Sequence, residues 1–144
     1  MRISTRGRYS LETLLYLAAL PQGETASIRT ISQATGISAG YLEQLCIPLR
    51  NAGLLRSIRG HKGGYFPGKP LEEISVGDIL RIAEGSLEPV SCVQSTECPS
   101  SAICLSRNTW VDLFEEINSC VNGITLKDLA LTCLPNSISD GGAT

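Results

Sequence analysis

Cys92, Cys98 and Cys104 stand with five residues between each neighbouring pair, in a stretch also carrying Ser91, Ser95, Ser100, Ser101 and Pro99. Regular spacing in a loop lets three thiolates converge on one inorganic centre without a helix dictating their directions. Thiolate is a soft ligand, and three of them in a reducing compartment point to an iron-sulfur cluster or to zinc. The competing reading is three unrelated loop cysteines. Cys46, Cys120 and Cys133 each lie beside apolar positions at helical spacing and read as small buried hydrophobes. The chain has 144 residues and no export signal, so its six cysteines are not read as a disulfide framework.

Other chemistry is sparse. The single histidine, His61, sits in a basic glycine-rich turn with no ligand-type neighbour, which suits a polyanion contact better than a metal. No Ser-His-Asp order, phosphate-binding glycine loop or dinucleotide fingerprint is present, so no enzyme is expected. The net charge of -2 conceals a division. Residues 1–70 hold nine Lys/Arg against three Asp/Glu, a balance of +6, and residues 71–144 hold three against eleven, a balance of -8. A basic amino-terminal half implies a polyanionic partner, with nucleic acid the first candidate. The longest apolar run, Leu14 to Leu20, has seven residues, far below the roughly 20 that a membrane span needs. Glu12 interrupts the first apolar stretch and no small-residue cleavage site follows, so a cytoplasmic location is expected.

The elements that must position these residues follow from periodicity and caps. Leu11, Leu14, Leu15 and Ala18 predict a first helix over Tyr9 to Leu20, preceded by Arg2, Arg6 and Arg8. Ser27 caps a second helix ending at Gly36, and Ser38 caps a third after a short turn, the helix-turn-helix pattern. In the third helix Leu42, Leu45, Cys46 and Leu49 share one face, leaving Ser38, Tyr41, Glu43, Gln44 and Arg50 outside it. Pro48 is expected to kink that helix or split off its last turn. From Leu54 to Pro67 the period becomes extended around Arg59-Gly60-His61-Lys62-Gly63-Gly64, a hairpin that reads as a wing. Ser75 to Asp78 forms a capping box for a short helix ending near Gly85. After the cysteine loop, Trp110, Leu113, Phe114, Ile117 and Val121 mark a long amphipathic helix from Leu105 to Val121, suited to dimer packing or to an intramolecular core. Thr125 to Ala130 forms a last helix.

The fold class is therefore mostly α: a winged helix-turn-helix domain with a two-stranded wing plus a long C-terminal dimerisation helix. The domain boundaries expected are 1–70 for the winged domain, 71–104 for a connecting helix and the cysteine loop, 105–134 for the dimerisation helices, and 135–144 for a disordered tail.

Met1-Arg2-Ile3-Ser4-Thr5-Arg6-Gly7-Arg8-Tyr9, Tyr41-Leu42-Glu43-Gln44-Leu45, Arg50-Asn51-Ala52-Gly53-Leu54, Ser57-Ile58-Arg59-Gly60, Gly63-Gly64-Tyr65 and Ile124-Thr125-Leu126 together resemble the winged-helix transcription regulator family of IscR, NsrR, RirA and CymR. The resemblance runs from residue 1 to about residue 131. It implies a homodimer on a palindromic operator in double-stranded DNA, with third helices in successive major grooves and wings at the flanking minor grooves. Arg59 would enter the minor groove, and Glu43 and Gln44 would read base edges. Ser38, Tyr41, Arg50, Arg2, Thr5, Ser27 and Arg29 would contact phosphates, with His61 and Lys62 at the wing tip.

The cluster-binding branch of that family uses three loop cysteines, which Cys92, Cys98 and Cys104 match. The resemblance thus implies an iron-sulfur cluster, 2Fe-2S with 4Fe-4S as the alternative, whose occupancy tunes operator binding by shifting a conformational population. The fourth ligand departs from the family: Arg107 and Arg8 stand where different branches have His and Asp. Glu12, Glu43 and Glu97 remain, and Glu12 is the candidate taken forward. The alternative function is a cluster-free regulator, zinc-bound or switched by its thiols, that acts through a partner enzyme as CymR-like members do.

Overall fold

Serine hydroxyls set the start of helix after helix. The computed structural model describes residues 2–90, 93 and 105–132. Helix α1 is Thr5–Ala19, α2 Ile28–Thr35 and α3 Ala39–Asn51, with Ser4, Ser27 and Ser38 as N-caps accepting from the amides of Gly7, Thr30 and Tyr41. Strands β1 (Leu55–Ile58) and β2 (Gly64–Pro67) pair antiparallel, Leu55 opposite Pro67 and Ile58 opposite Gly64. A single 3-10 turn, Leu71–Glu73, leads to α4 (Val76–Glu84), then α5 (Arg107–Asn122) and α6 (Leu126–Thr132). The fold is mostly helical with a two-stranded wing, as the sequence predicts. Among the described residues no helix is long and apolar enough to cross a membrane.

Two local expectations change. Helix α1 begins at Thr5 rather than Tyr9 and ends at Ala19, because the Ser4 cap starts it four residues earlier. Arg6 and Arg8 therefore ride on its first turns. Helix α3 also runs through Pro48 to Asn51 without splitting. Proline costs the bond to the Gln44 carbonyl, yet the following turn is secured by a Schellman closure. Leu54 N–H donates to the Leu49 carbonyl at 3.1 Å and Gly53 N–H to that of Arg50 at 3.0 Å. Gly53 adopts φ +82°, the left-handed conformation this closure requires.

The hairpin starts directly from that closure and is tied near its turn. Ala26 and Tyr65 exchange backbone hydrogen bonds of 3.0 and 2.7 Å, and Thr25 Oγ1 donates to the Lys62 carbonyl at 3.2 Å. A Cβ on Gly64 would strike the Ala26 backbone, so only glycine lets the strand approach this closely.

The main core joins Leu14, Ile31, Leu42, Leu49, Leu55, Ile74, Ile79 and Leu126, all fully buried. Leu126 brings α6 into the same core as α1 to α3, held by Leu126 N–H to the Ile74 carbonyl at 2.9 Å and Val76 N–H to that of Ile124 at 2.8 Å. A second cluster gathers Val76, Leu80 and Leu87, with Ile3, Leu11, Phe114, Ile117 and Val121 against it. Helix α5 lies on α4 through that cluster, yet none of its residues is fully buried, and Leu113 is 41% exposed.

The capping box of α4 is present as expected: Asp78 N–H donates to Ser75 Oγ at 3.0 Å and Ser75 N–H to Asp78 Oδ2 at 3.1 Å. Replacing Ser75 with Ala removes one partner of this reciprocal pair at a buried helix start. Urea unfolding should show Ser75→Ala destabilised by about 1 kcal/mol with an unchanged m-value.

Candidate nucleic-acid interface

The stripe Leu42, Leu45, Cys46 and Leu49 is buried, which turns Gly40, Glu43, Gln44, Ile47, Arg50 and Asn51 outward. Tyr41 is half-buried, and its ring meets that of Tyr9 edge-on with centroids 5.6 Å apart. The Arg8 guanidinium lies 5.9 Å from the Tyr9 ring centroid. Arg6 of α1 lines a cavity of about 230 Å³ together with Tyr41, Gln44, Leu45 and Pro48 of α3. This aromatic and basic seam fastens the start of α1 to the outward side of α3.

Arg2, Thr5, Ser27, Arg29, Ser38, Glu43, Gln44, Arg50, Arg59, His61 and Lys62 are all exposed. Arg59, His61 and Lys62 occupy the wing turn, closed by Gly63 N–H donating to the Gly60 carbonyl at 3.0 Å. Ser27 and Ser38 are engaged as caps through Oγ, and Ser27 Oγ also lies 3.0 Å from Thr30 Oγ1. Their exposed helix starts still offer amide dipoles to a phosphate. Arg6 was not among the sequence-derived contacts. An α1 start at the Ser4 cap is the signal that places it beside Tyr41 and Gln44.

Cys92, Cys98, Cys104 and Cys133, with the tail 135–144, lie outside the described residues. Among the described residues no group of three His, Cys, Asp or Glu is gathered as a metal site. Glu12 is exposed on α1 beside Leu11, which joins the same apolar cluster as Leu87 at the root of the cysteine loop. Glu88, four residues before Cys92, has its Oε2 buried with no hydrogen-bond partner. Sequence reading passed over Glu88, because nothing in its local pattern distinguishes it from a surface carboxylate. The sulfurs outside the loop divide. Cys46 is buried as expected, whereas Cys120 is exposed, since it falls on the flank of α5 away from the Phe114, Ile117 and Val121 contact.

A helix-turn-helix followed by a basic wing defines a winged helix DNA-binding protein. The chain belongs to the Rrf2 family, described as iron-dependent transcriptional regulators, whose profile matches residues 3–132. It is 40% identical over 130 residues to the HTH-type transcriptional regulator CymR of Bacillus subtilis, covering 90% of each chain. It is 38% identical over 129 residues to the HTH-type transcriptional regulator IscR of Serratia proteamaculans, covering 90% of this chain and 79% of that one. The structure of B. subtilis CymR, the global cysteine regulator, superposes with a TM-score of 0.76 at 38% identity, over 90% of this chain and 96% of that one. T. potens IscR superposes equally well, with a TM-score of 0.76 at 31% identity, over 94% of this chain and 90% of that one. The protein is a DNA-binding transcriptional regulator and not an enzyme.

Burial pushes the Cys46 thiol up to about 11, with Arg50 pulling the other way. Between the usual thiol pKa near 9 and that value, the unfolded chain releases this proton and the folded chain keeps it, so stability falls as pH rises. The loss should reach roughly 2 kcal/mol by pH 11. Urea midpoints of wild type and Cys46→Val, compared from pH 8 to 11, should show the extra slope in wild type alone.

Proposed function

We propose that the chain is a homodimeric regulator whose operator binding is modulated by an iron-sulfur cluster on Cys92, Cys98 and Cys104. The observation that carries the DNA reading is the outward face of α3, with Glu43 and Gln44 exposed opposite a fully buried stripe and followed directly by the basic wing. Two such helices in a dimer would enter successive major grooves of a palindromic operator, with Arg59 in the flanking minor groove. Arg2, Thr5, Ser27, Arg29, Ser38, Tyr41 and Arg50 would hold phosphates, and His61 and Lys62 would flank Arg59. The dimer reading rests on α5. A 16-residue amphipathic helix with no fully buried residue leaves Leu113 and much of its length for a second copy.

The donor set fits a cluster: three thiolates supply soft ligands, and Glu88 offers an orphaned carboxylate oxygen at the foot of their loop. Glu12 is the second oxygen candidate, favoured by the resemblance. Held there, a 2Fe-2S cluster would supply a link that oxidation or iron loss breaks. Leu87 anchors the loop root in the cluster that also takes up α4 and α5 residues, so loop order bears on how α5 sits against the winged domain. The CymR relatives favour a second reading, a thiol switch without a cluster that works through a partner enzyme. One of the superposable structures is an oxidised form of Staphylococcus aureus CymR, at 41% identity and a TM-score of 0.71.

The proposal is tested by spectroscopy and by DNA binding. Protein purified without oxygen should be coloured, with matched iron and sulfide, and alanine at Cys92, Cys98 or Cys104 should bleach it. A colourless, iron-free protein that still shifts DNA would overturn the cluster and leave a winged-helix regulator whose cysteines bind zinc, switch by oxidation or merely fill a loop. Gln at Glu88 or at Glu12 should alter the visible spectrum only at the position that ligates. Arg59→Ala should reduce the slope of log affinity against log salt by about one, as expected for one lost cationic contact.

A further inference from the structure

Helix α3 presents an apolar side chain where a DNA-reading face is otherwise polar. Ile47 is 60% exposed, in a helix whose other large aliphatic residues are 3% exposed or less. Its place on the helix is informative. At about 100° per residue, Ile47 falls in angle between Glu43 and Gln44, one turn further on and directly opposite the buried stripe. One turn earlier the same face carries Gly40, where an added Cβ would meet nothing within 4 Å. The face thus reads glycine, then two polar readers, then an isoleucine, with the glycine allowing the backbone close to whatever is read.

An isoleucine has no hydrogen bond to offer a base. The major groove displays one apolar group, the C5-methyl of thymine, and aliphatic contact is how a side chain senses it. We infer that Ile47 is a specificity residue that packs on a thymine methyl next to the base pairs read by Glu43 and Gln44. The operator half-site should hold a thymine at that position, and uracil there, which keeps every hydrogen-bonding group and lacks only the methyl, should be read as a defect. The inference rests on the proposed seating of α3 in the major groove.

The test begins with the full chain, purified without oxygen, selecting its preferred duplex from a random pool. Each thymine of the selected site is then replaced singly by uracil, and affinities are measured for wild type, Ile47→Val and Ile47→Ala. In wild type one position per half-site should lose about fourfold, the worth of one methyl group removed from water. Ile47→Val should keep most of that sensitivity and Ile47→Ala should lose it, while binding to random duplex stays unchanged for all three. Equal uracil penalties in wild type and Ile47→Ala would overturn the assignment while leaving α3 as the reading helix. So would a selected site with no methyl-sensitive thymine. Failure of wild type to prefer any duplex would instead overturn the seating of α3, and this inference with it.

Discussion

The burial of one stripe of α3 is the constraint on which the outward face of that helix depends. Leu42, Leu45, Cys46 and Leu49 are each 3% exposed or less. Each is worth roughly 1.5–3 kcal/mol when removed from water, more for the leucines than for the thiol. Turning α3 by a single residue would rotate it about 100° and bring several of these side chains to the surface together. No polar contact on the outer face competes with that sum, so the rotational phase of the helix is settled from the inside. Glu43, Gln44 and Ile47 point outward because their neighbours must point inward. The same stripe ends in the Leu49 to Leu54 closure, which launches β1 and thereby places the wing at a set distance from that outward face.

Helix α1 is the second organiser, and its start is held from the other half of the molecule. Ser4 donates through both N–H and Oγ to Glu84 Oε1, at 2.9 and 2.6 Å. A carboxylate at the positive end of a helix is favoured electrostatically as well as by hydrogen bonding. Gly7 makes this possible, since a Cβ there would collide with Glu84 Oε1. Glu84 is the last residue of α4, and the chain runs on from it through Leu87 to the cysteine loop. The helix whose Arg6 shares a cavity with Tyr41 and Gln44 is therefore tied directly to the segment that leads to the cysteines.

Much of this was legible in the sequence because the signals were local. Ser27, Ser38 and Ser75 announced their helices, and the glycine-rich turn after Ile58 announced the hairpin. The misreadings had non-local causes. The start of α1 was set too late because the apolar period begins near Tyr9, whereas Ser4 gains its hold from Glu84, eighty residues away. Of the two outcomes expected at Pro48, a kink or a split-off last turn, the split does not occur, because tertiary burial of Leu49 and the glycine closure outweigh one missing hydrogen bond. Cys120 was expected to be buried because it neighbours an apolar stripe, yet adjacency in sequence differs from adjacency on a helix. Arg6 and Glu88 were invisible for the same reason, their significance lying in what folds against them.

The uneven charge of the chain has a physical reading once the elements are placed. The arginines of the amino-terminal half lie on or beside α1, α2, α3 and the wing, and Arg2, Arg6, Arg8, Arg29, Arg50, Arg56 and Arg59 are all exposed. Helix α5 exposes Asp112, Glu115 and Glu116. A phosphate backbone attracts the first set and repels the second, so the field of the molecule orients it before any specific contact forms. An acidic α5 is ill suited to contact DNA, which agrees with the proposed use of its face against another protein surface. Its own apolar stripe is incompletely covered, with Leu113 exposed, and this is the feature on which the proposed dimer rests. Polarity of charge and incomplete burial, two independent features, thus support the same proposed division of labour between the halves of the chain.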